Sequence, residues 1–302
     1  MDPAAEIARI LRQIADDKSD GATSLAARGL DALELLAATL DESAPDALER
    51  AAELAARVDA LRPSMAAVGV QAVLAVVRAR GLAAEGLGPR AALERAVRVE
   101  RETLGQANVA IADRIRRELG RGGVIATCSF SVTALRALVA VDPERVCIGE
   151  GHRLADGMRA ARWLAARGLE VEVVPDGALP GEAAGARAVL VGADQVLADG
   201  SVVNRCSTFP LALAALRARV PFYVACQRIK LAGAPRAEIE QAPAFFSGLP
   251  EGVRGRVPLF DVTPPDLVSG VFTESGRLEP DEAGAVGAHV ARLRERVTGR
   301  RA

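Results

Sequence analysis

The sequence predicts an α/β protein in which a helical N-terminal domain, residues 1–118, precedes a parallel-sheet domain, residues 119–302. Up to Gly120 the apolar side chains recur at helical spacing. Beyond it, short runs rich in β-branched residues alternate with helical segments, as in a parallel sheet with crossover helices. Hydrophobic residues make up 50% of the chain and aromatic residues only 3%, a balance that favours closely packed helices and buried strands.

The N-terminal region divides into about five helices. Ile7, Ile10, Leu11 and Ile14 form one apolar stripe, and later leucines continue the same pattern. Turn or capping residues interrupt the pattern at four places, which are Asp20 and Gly21, Ser43 to Pro45, Arg62 to Ser64, and Gly86 to Pro89. The last helix, from about residue 90 to 119, mixes charged with apolar residues, as expected when one face is solvated and the other buried.

Five short apolar runs after Gly120 are the predicted strands. They are Val124 to Thr127, Val146 to Gly149, Val171 to Val174, Val189 to Gly192 and Phe222 to Ala225. Helices fit between most of them, so we expect right-handed crossovers and a Rossmann-like sheet buried on both faces. In such a sheet, ligands bind beyond the carboxyl ends of the strands. Gly122 and Gly123 precede the first strand, so no dinucleotide-binding fingerprint follows it.

Composition argues against several classes of function. Lys plus Arg number 38 and Asp plus Glu 39, so the net charge of -1 gives no general attraction to nucleic acid or to a membrane surface. The four cysteines are widely spaced and no hydrophobic segment begins the chain, so we expect reduced thiols in the cytoplasm. The longest apolar stretch, around residues 68–77, is half the roughly 20 residues of a membrane span. The two histidines disfavour a zinc site, and we expect no metal or cofactor.

Cys128 follows the first predicted strand directly and comes shortly before Ser131, where a helix is predicted to begin. The unpaired peptide groups and the positive dipole end of that helix would stabilise a thiolate that exchanges protons near neutral pH. A cysteine among apolar neighbours is also a common core residue, and both interpretations stay open at this stage. Cys147 and Cys226 lie within or at the end of apolar runs and are interpreted as packing residues.

Asp194 presents a carboxylate at the carboxyl edge of the strand that ends at Gly192. At that edge the carboxylate could lie near Cys128 and take part in proton transfer. The alternative is a structural role, as a hydrogen-bond acceptor that caps the turn at Asp199 and Gly200 or a nearby helix.

A phosphate-binding segment is predicted before the helix from Phe209 to Arg217. Its residues offer an amide, a guanidinium, hydroxyls and free backbone N–H groups, and they are Asn204, Arg205, Ser207 and Thr208. The alternative is an ordinary helix cap beside a solvated arginine.

Two long segments carry a family resemblance. Residues 192–205 read Gly-Ala-Asp-Gln-Val-Leu-Ala-Asp-Gly-Ser-Val-Val-Asn-Arg, and residues 258–268 read Pro-Leu-Phe-Asp-Val-Thr-Pro-Pro-Asp-Leu-Val, followed by Thr273-Glu274. In this order they resemble the superfamily that joins aldose-1-phosphate isomerases to the regulatory subunits of initiation factor 2B. The resemblance covers roughly residues 120 to 280 and extends more weakly into the helical half through residues 18–22 and 62–65.

The resemblance implies one of two functions. The first is isomerisation of a pentose 1-phosphate to a ketose, as in methylthioribose-1-phosphate and ribose-1,5-bisphosphate isomerases; the second is non-catalytic regulation of translation. The isomerases have a Cys and an Asp where this chain has Cys128 and Asp194, whereas the regulatory subunits generally lack the pair, so the isomerase is favoured. Asp194 would then protonate the ring oxygen and Cys128 would move hydrogen between C2 and C1. Burial beneath the helical domain is expected to let Asp194 act as an acid.

The resemblance also implies a set of substrate-binding residues. They are Lys18, Arg62, Glu150, His152, Arg153, Asn204 and Arg205. Lys18, Arg62 and Arg205 are the expected phosphate contacts. The family segment that usually reads Asn-Lys-Ile-Gly-Thr is Asn-Arg-Cys-Ser-Thr at residues 204–208, so Ser207 replaces a glycine. The implied assembly is a homodimer, for which residues 262–272 are one possible interface, although core burial explains their apolar character equally well.

Overall fold

A computed structural model gives the structure of the chain. It describes residues 2–17, 22–41, 44, 46–62, 65–151, 154–234, 246 and 248–299. The chain forms two compact units. Unit 1 comprises Met1–Ala107, Ile229–Ala234 and Val286–Ala302, and unit 2 comprises Asn108–Arg228 and Pro235–Ala285. The predicted boundary at residue 118 falls inside a helix that contributes residues to both units.

Unit 1 contains the predicted N-terminal helices, whose breaks lie where the turn and capping residues indicated. They are α1 (Pro3–Asp16), α2 (Ala22–Ala37), α3 (Ala47–Leu61), α4 (Ala66–Ala84) and α5 (Pro89–Leu119), which continues into unit 2. Asp2 caps α1, since its side chain accepts a hydrogen bond from the backbone of Ala4 at 3.1 Å. Ile14, Leu25 and Leu33 are fully buried in the shared core.

Helix α4 contains the longest apolar stretch of the sequence, around residues 68–77. It runs over 19 residues and is long and apolar enough, by length and composition alone, to cross a membrane. Most of it is buried within the protein, and Val68, Val73 and Val76 are in the core of unit 1. A Cβ added at Gly69 would lie 1.9 Å from Oδ1 of Asp59, so glycine allows α4 to approach α3 closely. The burial is that of a core helix.

Unit 2 is built on a seven-stranded sheet, which confirms the predicted α/β fold. Its strands are β1 (Val124–Thr127), β2 (Arg145–Gly149), β3 (Val171–Val174), β4 (Ala188–Gly192), β7 (Phe222–Ala225), β9 (Gly270–Thr273) and β10 (Gly276–Leu278). The spatial order is β10-β9-β7-β4-β1-β2-β3, and every pair is parallel except β9 with β10. The five predicted strands match within one residue at each end.

Three short strands form a second, antiparallel sheet that the sequence analysis did not predict. They are β5 (Gln195–Val196), β6 (Val202–Arg205) and β8 (Phe260–Thr263), in the order β5-β6-β8. In this sheet Asn204 lies directly opposite Asp261. Directly opposed residues of an antiparallel pair have their side chains on the same face, so these two side chains are neighbours.

The helices of unit 2 connect the strands and cover the sheet. They are α6 (Val132–Val141), α7 (Asp156–Ala165), the short α8 (Leu179–Glu182), α9 (Thr208–Ala218) and the first residues of α10 (Pro280–Thr298). Ser131 caps α6 through a hydrogen bond from Ala134 N to its Oγ, so this helix begins where the sequence predicted. A Cβ at Gly192 would clash with Ser131 Oγ at 2.2 Å, so the end of β4 lies against the start of α6.

Candidate functional site

Cys128 lies at the carboxyl end of β1, where parallel sheets bind ligands. Its side chain is buried, with 3% of its surface exposed. The next residue, Ser129, has a φ of 62°, in the left-handed region that non-glycine residues rarely adopt. Such backbone conformations concentrate at functional sites, where the surrounding structure holds them in place.

The thiol of Cys128 belongs to a buried hydrogen-bond network with Thr208 and Asn204. The Thr208 hydroxyl donates its proton to the Arg205 carbonyl oxygen at 2.6 Å and accepts a hydrogen bond from Asn204 Nδ2 at 3.0 Å. Cys128 Sγ lies 3.3 Å from Thr208 Oγ1, within hydrogen-bond distance of the hydroxyl. Asn204 Nδ2 also lies 3.9 Å from the sulfur, as a donor to it.

The protonation state of Cys128 differs from the one the sequence predicted. Burial raises the pKa of the thiol to about 12, and the hydrogen bond with Thr208 offsets this only in part. The negative charges of Asp261, Asp156 and Asp176 raise the pKa further. The prediction of a stabilised thiolate was therefore wrong, because burial and the three nearby carboxylates favour the neutral thiol.

Asp261 is a residue of the site that the sequence analysis missed. Its Oδ2 accepts a hydrogen bond from Phe209 N at 3.0 Å, and the N–H groups of Ser207 and Thr208 also stabilise the carboxylate. Its Oδ1 is buried and has no hydrogen-bond partner among the described residues. Burial raises the pKa of this carboxyl to about 6, more than the three backbone N–H groups lower it. The only signal in the sequence was its place in the segment at residues 258–268.

These contacts change the interpretation of the predicted phosphate segment. The backbone N–H groups that open α9 were expected to be free for a phosphate, but they already face the carboxylate of Asp261. A carboxylate at a helix N-terminus satisfies the same donors and the same dipole that a phosphate would. Ser207, just before α9, has a φ of 90°, a conformation that favours the glycine found at this position in the family segment.

Arg205 is the last residue of β6 and lies close to Asp156 and Phe260. Its Nε lies 3.6 Å from Oδ2 of Asp156, and its guanidinium is 4.7 Å from the centre of the Phe260 ring. Burial raises the pKa of Asp156, and the charge of Arg205 lowers it. Arg205 is half-buried and therefore held in the site by a carboxylate and an aromatic ring.

Asp194 lies where the sequence placed it, two residues beyond the end of β4, but its environment differs from the prediction. Its backbone N–H donates to Val203 O at 2.9 Å, which ties the loop to β6. Its side chain is exposed, so the expected burial was wrong. The turn acceptor is Asp199 itself, whose Oδ1 accepts a hydrogen bond from Ser201 N at 2.9 Å.

The loop after β2 carries three predicted ligand contacts. Glu150 is half-buried at its start, whereas His152 and Arg153 lie outside the described residues. The backbone N–H of Gly151 donates to Asp176 Oδ1 at 3.0 Å, which ties this loop to the segment after β3. Gly151 has a φ of 75°, and a Cβ there would lie 2.0 Å from Oδ1 of Asp156, so the close approach requires glycine.

Two further predicted phosphate contacts belong to unit 1. Lys18 lies outside the described residues. Arg62 follows α3, and its guanidinium donates to the carbonyl oxygens of Ile14 and Asp17 and lies 3.1 Å from Met65 Sδ. In this structure Arg62 therefore satisfies carbonyl groups at the C-terminal end of α1.

The other three cysteines have local partners or are buried. Cys147 lies within β2 and Cys226 directly after β7, and both are buried, as the packing interpretation predicted. Cys206 Sγ donates to Pro258 O at 3.0 Å. Within the described ranges, no group of three or more His, Cys, Asp or Glu side chains is arranged to hold a metal ion.

A separate cleft of about 510 Å³ lies within unit 2 between α5, α6 and α7. Its lining includes Arg116, Arg136 and Trp163. None of the residues around Cys128 contributes to it, so the chemistry-bearing side chains and this cleft occupy different places in the unit.

The chain belongs to the Initiation factor 2 subunit family, whose family model matches residues 18–280. This confirms the resemblance inferred from the segments at residues 192–205 and 258–268. The family covers both the helical unit and the sheet unit of the chain.

Relatives of known name fall into two functional groups. A translation initiation factor eIF-2B subunit 2-like protein of Pyrococcus horikoshii is 33% identical over 280 residues, 91% of this chain and 96% of that protein. A methylthioribose-1-phosphate isomerase of Gemmatimonas aurantiaca is 33% identical over 307 residues, 92% of this chain and 88% of that protein. A ribose 1,5-bisphosphate isomerase of Haloterrigena turkmenica is 31% identical over 305 residues, 93% of this chain and 92% of that protein.

A solved structure shows the same architecture. The crystal structure of the Pyrococcus horikoshii OT3 translation initiation factor eIF-2B matches with a TM-score of 0.72 and 30% sequence identity, and the match covers 91% of this chain and 97% of that chain. The similarity in sequence is thus about equal to initiation-factor relatives and to isomerase relatives, and the choice between them depends on the site.

Proposed function

We propose that this protein is an aldose-ketose isomerase that acts on a pentose 1-phosphate of the ribose-1,5-bisphosphate or 5-substituted ribose-1-phosphate type. The observation that carries the proposal is the buried thiol of Cys128 at a strand end, hydrogen-bonded to Thr208 and Asn204. Two relatives of similar length are named as isomerases of such sugar phosphates.

The reaction needs two kinds of proton transfer. As the ring opens, the bond between C1 and the ring oxygen breaks and that oxygen gains a proton. A proton then moves from C2 to C1, and the C2 hydroxyl loses its proton as the ketone forms. The first and last transfers balance if one group gives its proton to the ring oxygen and later recovers one from the C2 hydroxyl. These steps need no change in oxidation state of the protein.

In this proposal Cys128 moves the proton between C2 and C1. Asp194 donates a proton to the ring oxygen and later accepts one from the C2 hydroxyl. Burial raises the pKa of the Cys128 thiol, so its proton must first pass to a base in the substrate complex, such as a substrate phosphate oxygen, and return to the sulfur once the ketose has formed. Asp194 is exposed in the structure, so bound substrate must shield its carboxyl from water for it to act as an efficient acid. Both requirements can be met only in the substrate complex.

Phosphate recognition is assigned to the basic side chains. Of the three predicted phosphate contacts, Arg205 belongs to unit 2, and to bind a phosphate it must exchange the Asp156 carboxylate, 3.6 Å away, for the phosphate oxygens. The remaining proposed substrate contacts are Asn204, Glu150, His152, Arg153, Lys18 and Arg62. We further propose a cytoplasmic homodimer that binds no nucleic acid and no membrane.

The deciding experiment is direct turnover. The purified protein is incubated with a panel of ribose 1,5-bisphosphate, 5-methylthioribose 1-phosphate and 5-deoxyribose 1-phosphate, and formation of the ketose is followed. Conversion of at least one substrate, abolished in Cys128→Ser, supports the proposal. Binding of these compounds without conversion contradicts it and favours a regulatory, ligand-binding protein of the initiation factor 2B type. The names of the Pyrococcus relatives favour that second function.

A further inference from the structure

Asp261 connects the strand β8 to the thiol of Cys128 through two neighbours. Asn204 lies directly opposite Asp261 in the antiparallel pair of β6 and β8, so the two side chains share one face. Asn204 donates to both Thr208 and Cys128. Asp261 also holds the backbone at Phe209, in the first turn of the helix that carries Thr208. A shift of the Asp261 side chain would therefore affect the positions of both Asn204 and Thr208, the two hydrogen-bond partners of the thiol.

Capping of α9 alone does not explain why this residue is an aspartate. A serine or asparagine oxygen could accept the same backbone hydrogen bonds. The carboxylate has a second oxygen, Oδ1, that is buried without a partner among the described residues, and a buried unsatisfied acceptor costs free energy. The cost indicates that the negative charge itself has a use at this place.

The charged groups around the thiol are mostly carboxylates. Three of them act on Cys128 directly, and Asp261 has the largest influence of the three, ahead of Asp156 and Asp176. Arg205 offsets the charge of Asp156, which it contacts. Asp261 has the same effect on Cys206, whose thiol pKa is raised first by burial and then by this carboxylate. The negative charge of Asp261 is thus the main charge that opposes ionisation of Cys128.

We infer that Asp261 is a positioning residue for Cys128: its carboxylate fixes the first turn of α9, which carries Thr208, and its negative charge adds to burial in keeping the proton on the sulfur. The two groups then behave as a coupled pair that holds one proton between them. The meaning for catalysis rests on the proposed function, in which Cys128 would enter the reaction with its proton on sulfur. The effect of Asp261 on the protonation of the thiol is independent of the proposed function.

The test measures thiol reactivity without substrate. The protein is treated with methyl methanethiosulfonate across a range of pH, and modification of Cys128 is quantified by peptide mass spectrometry, which separates it from Cys206. Asp261→Asn removes the charge but keeps an acceptor oxygen, so Cys128 should react about tenfold faster at neutral pH, corresponding to a pKa lower by about one unit. Asp261→Glu keeps the charge and should stay close to wild type. Asp266→Asn, at an exposed position nearby, is the matched control and should change nothing.

The inference is overturned if Asp261→Asn leaves the rate unchanged, or if Asp261→Glu accelerates it as much as Asp261→Asn, since lost structure would then be the cause. Wild type alone gives a second check should the variants not fold. As the pH falls through the titration of Asp261 at about 6, the rate should fall less steeply than one decade per pH unit, because protonation of the carboxyl eases ionisation of the thiol. A uniform slope of one decade through this range would contradict the coupling.

The outcome is independent of turnover. A protein that converts none of the sugar phosphates but shows the coupled thiol refutes the proposed isomerase and leaves the role of Asp261 intact. A protein that converts the sugar phosphates, but in which the reactivity of Cys128 does not depend on Asp261, supports the isomerase and refutes the role of Asp261.

Discussion

The ends of β1 and β4 lie side by side in one sheet, yet they hold their side chains in opposite environments. Cys128, after β1, is buried and hydrogen-bonded to Thr208 and Asn204. Asp194, after β4, is exposed and has its backbone tied to Val203. A place beyond the carboxyl end of a parallel strand therefore does not ensure the same chemistry. What differs is whether another segment, here the start of α9 with Thr208, covers the side chain that follows the strand.

The largest expected effect is at the covered strand end. Cys128→Ser keeps a small polar side chain but replaces the thiol, so kcat should fall by at least about a hundredfold, the size of a lost acid or base. Cys147→Ser, at a buried position within β2, is the control and should change kcat little once the loss of stability is taken into account. Steady-state kinetics on the substrate that turns over measure both variants. Equal losses at the two positions would make Cys128 a packing residue.

At the exposed strand end we expect a smaller loss. Asp194→Asn keeps the shape and removes proton cycling, so kcat should fall between about tenfold and a hundredfold while the Kd of the sugar phosphate stays within about twofold. Calorimetric binding together with turnover separates the two quantities. Asp199→Asn, in the neighbouring turn, is the control. Normal turnover by Asp194→Asn would remove this residue from the mechanism.

Protonation of Asp261 should make the stability of the protein depend on pH. The pKa of Asp261 is about 6 in the folded protein, above the value near 3.9 of an unfolded aspartate. The folded state therefore binds the proton more tightly, and this contribution to stability is complete below pH of about 4 and is lost as the pH rises through about 6. We expect a loss of about 2 kcal/mol in the free energy of unfolding across this window. Urea unfolding at several pH values should show it in wild type and in Asp266→Asn, and a similar loss in Asp261→Asn would refute the assignment.

Arg205 is intermediate in exposure between Cys128 and Asp194, since it is half-buried beside Asp156. Arg205→Ala should raise the KM for a phosphorylated pentose by about tenfold, the size of one charge-assisted contact of about 1.4 kcal/mol. Arg217→Ala, on the exposed face of α9, should leave KM unchanged. Steady-state kinetics on both variants decide the matter, and equal KM values would place the phosphate elsewhere.

The smallest expected effect concerns the backbone that leads into α9. Ser207 has a φ of 90°, so Ser207→Gly should relieve strain and stabilise the protein by about 1 kcal/mol. Ser275→Gly, at an exposed turn residue, lacks this strain and should not stabilise. Chemical denaturation of the two variants compares them. A destabilised Ser207→Gly would mean that the serine side chain matters more than its conformation.

Local patterns were sufficient for most of the fold. Five helices and five strands follow from periodicity and from turn residues, because each is a run whose own spacing decides its conformation. The second sheet could not be predicted in this way, since β5, β6 and β8 are short and are stabilised by pairing between segments far apart in the chain. Helix α4 extends beyond the apolar stretch at residues 68–77, because the charged residues near its C-terminal end interrupt the apolar run without ending the helix.

By itself the sequence determined the family, the order of the elements along the chain and the position of Cys128 and Asp194 at the ends of two strands. Only the tertiary structure decided which side chains contact those two residues and how far each is buried. Asp261 is 133 residues from Cys128 in the chain, and only the pairing of β8 with β6 brings its charge to bear on the thiol. Ionisation depends on burial and on charges that arrive from other elements, so the protonation of Cys128 and the exposure of Asp194 are properties of the folded protein.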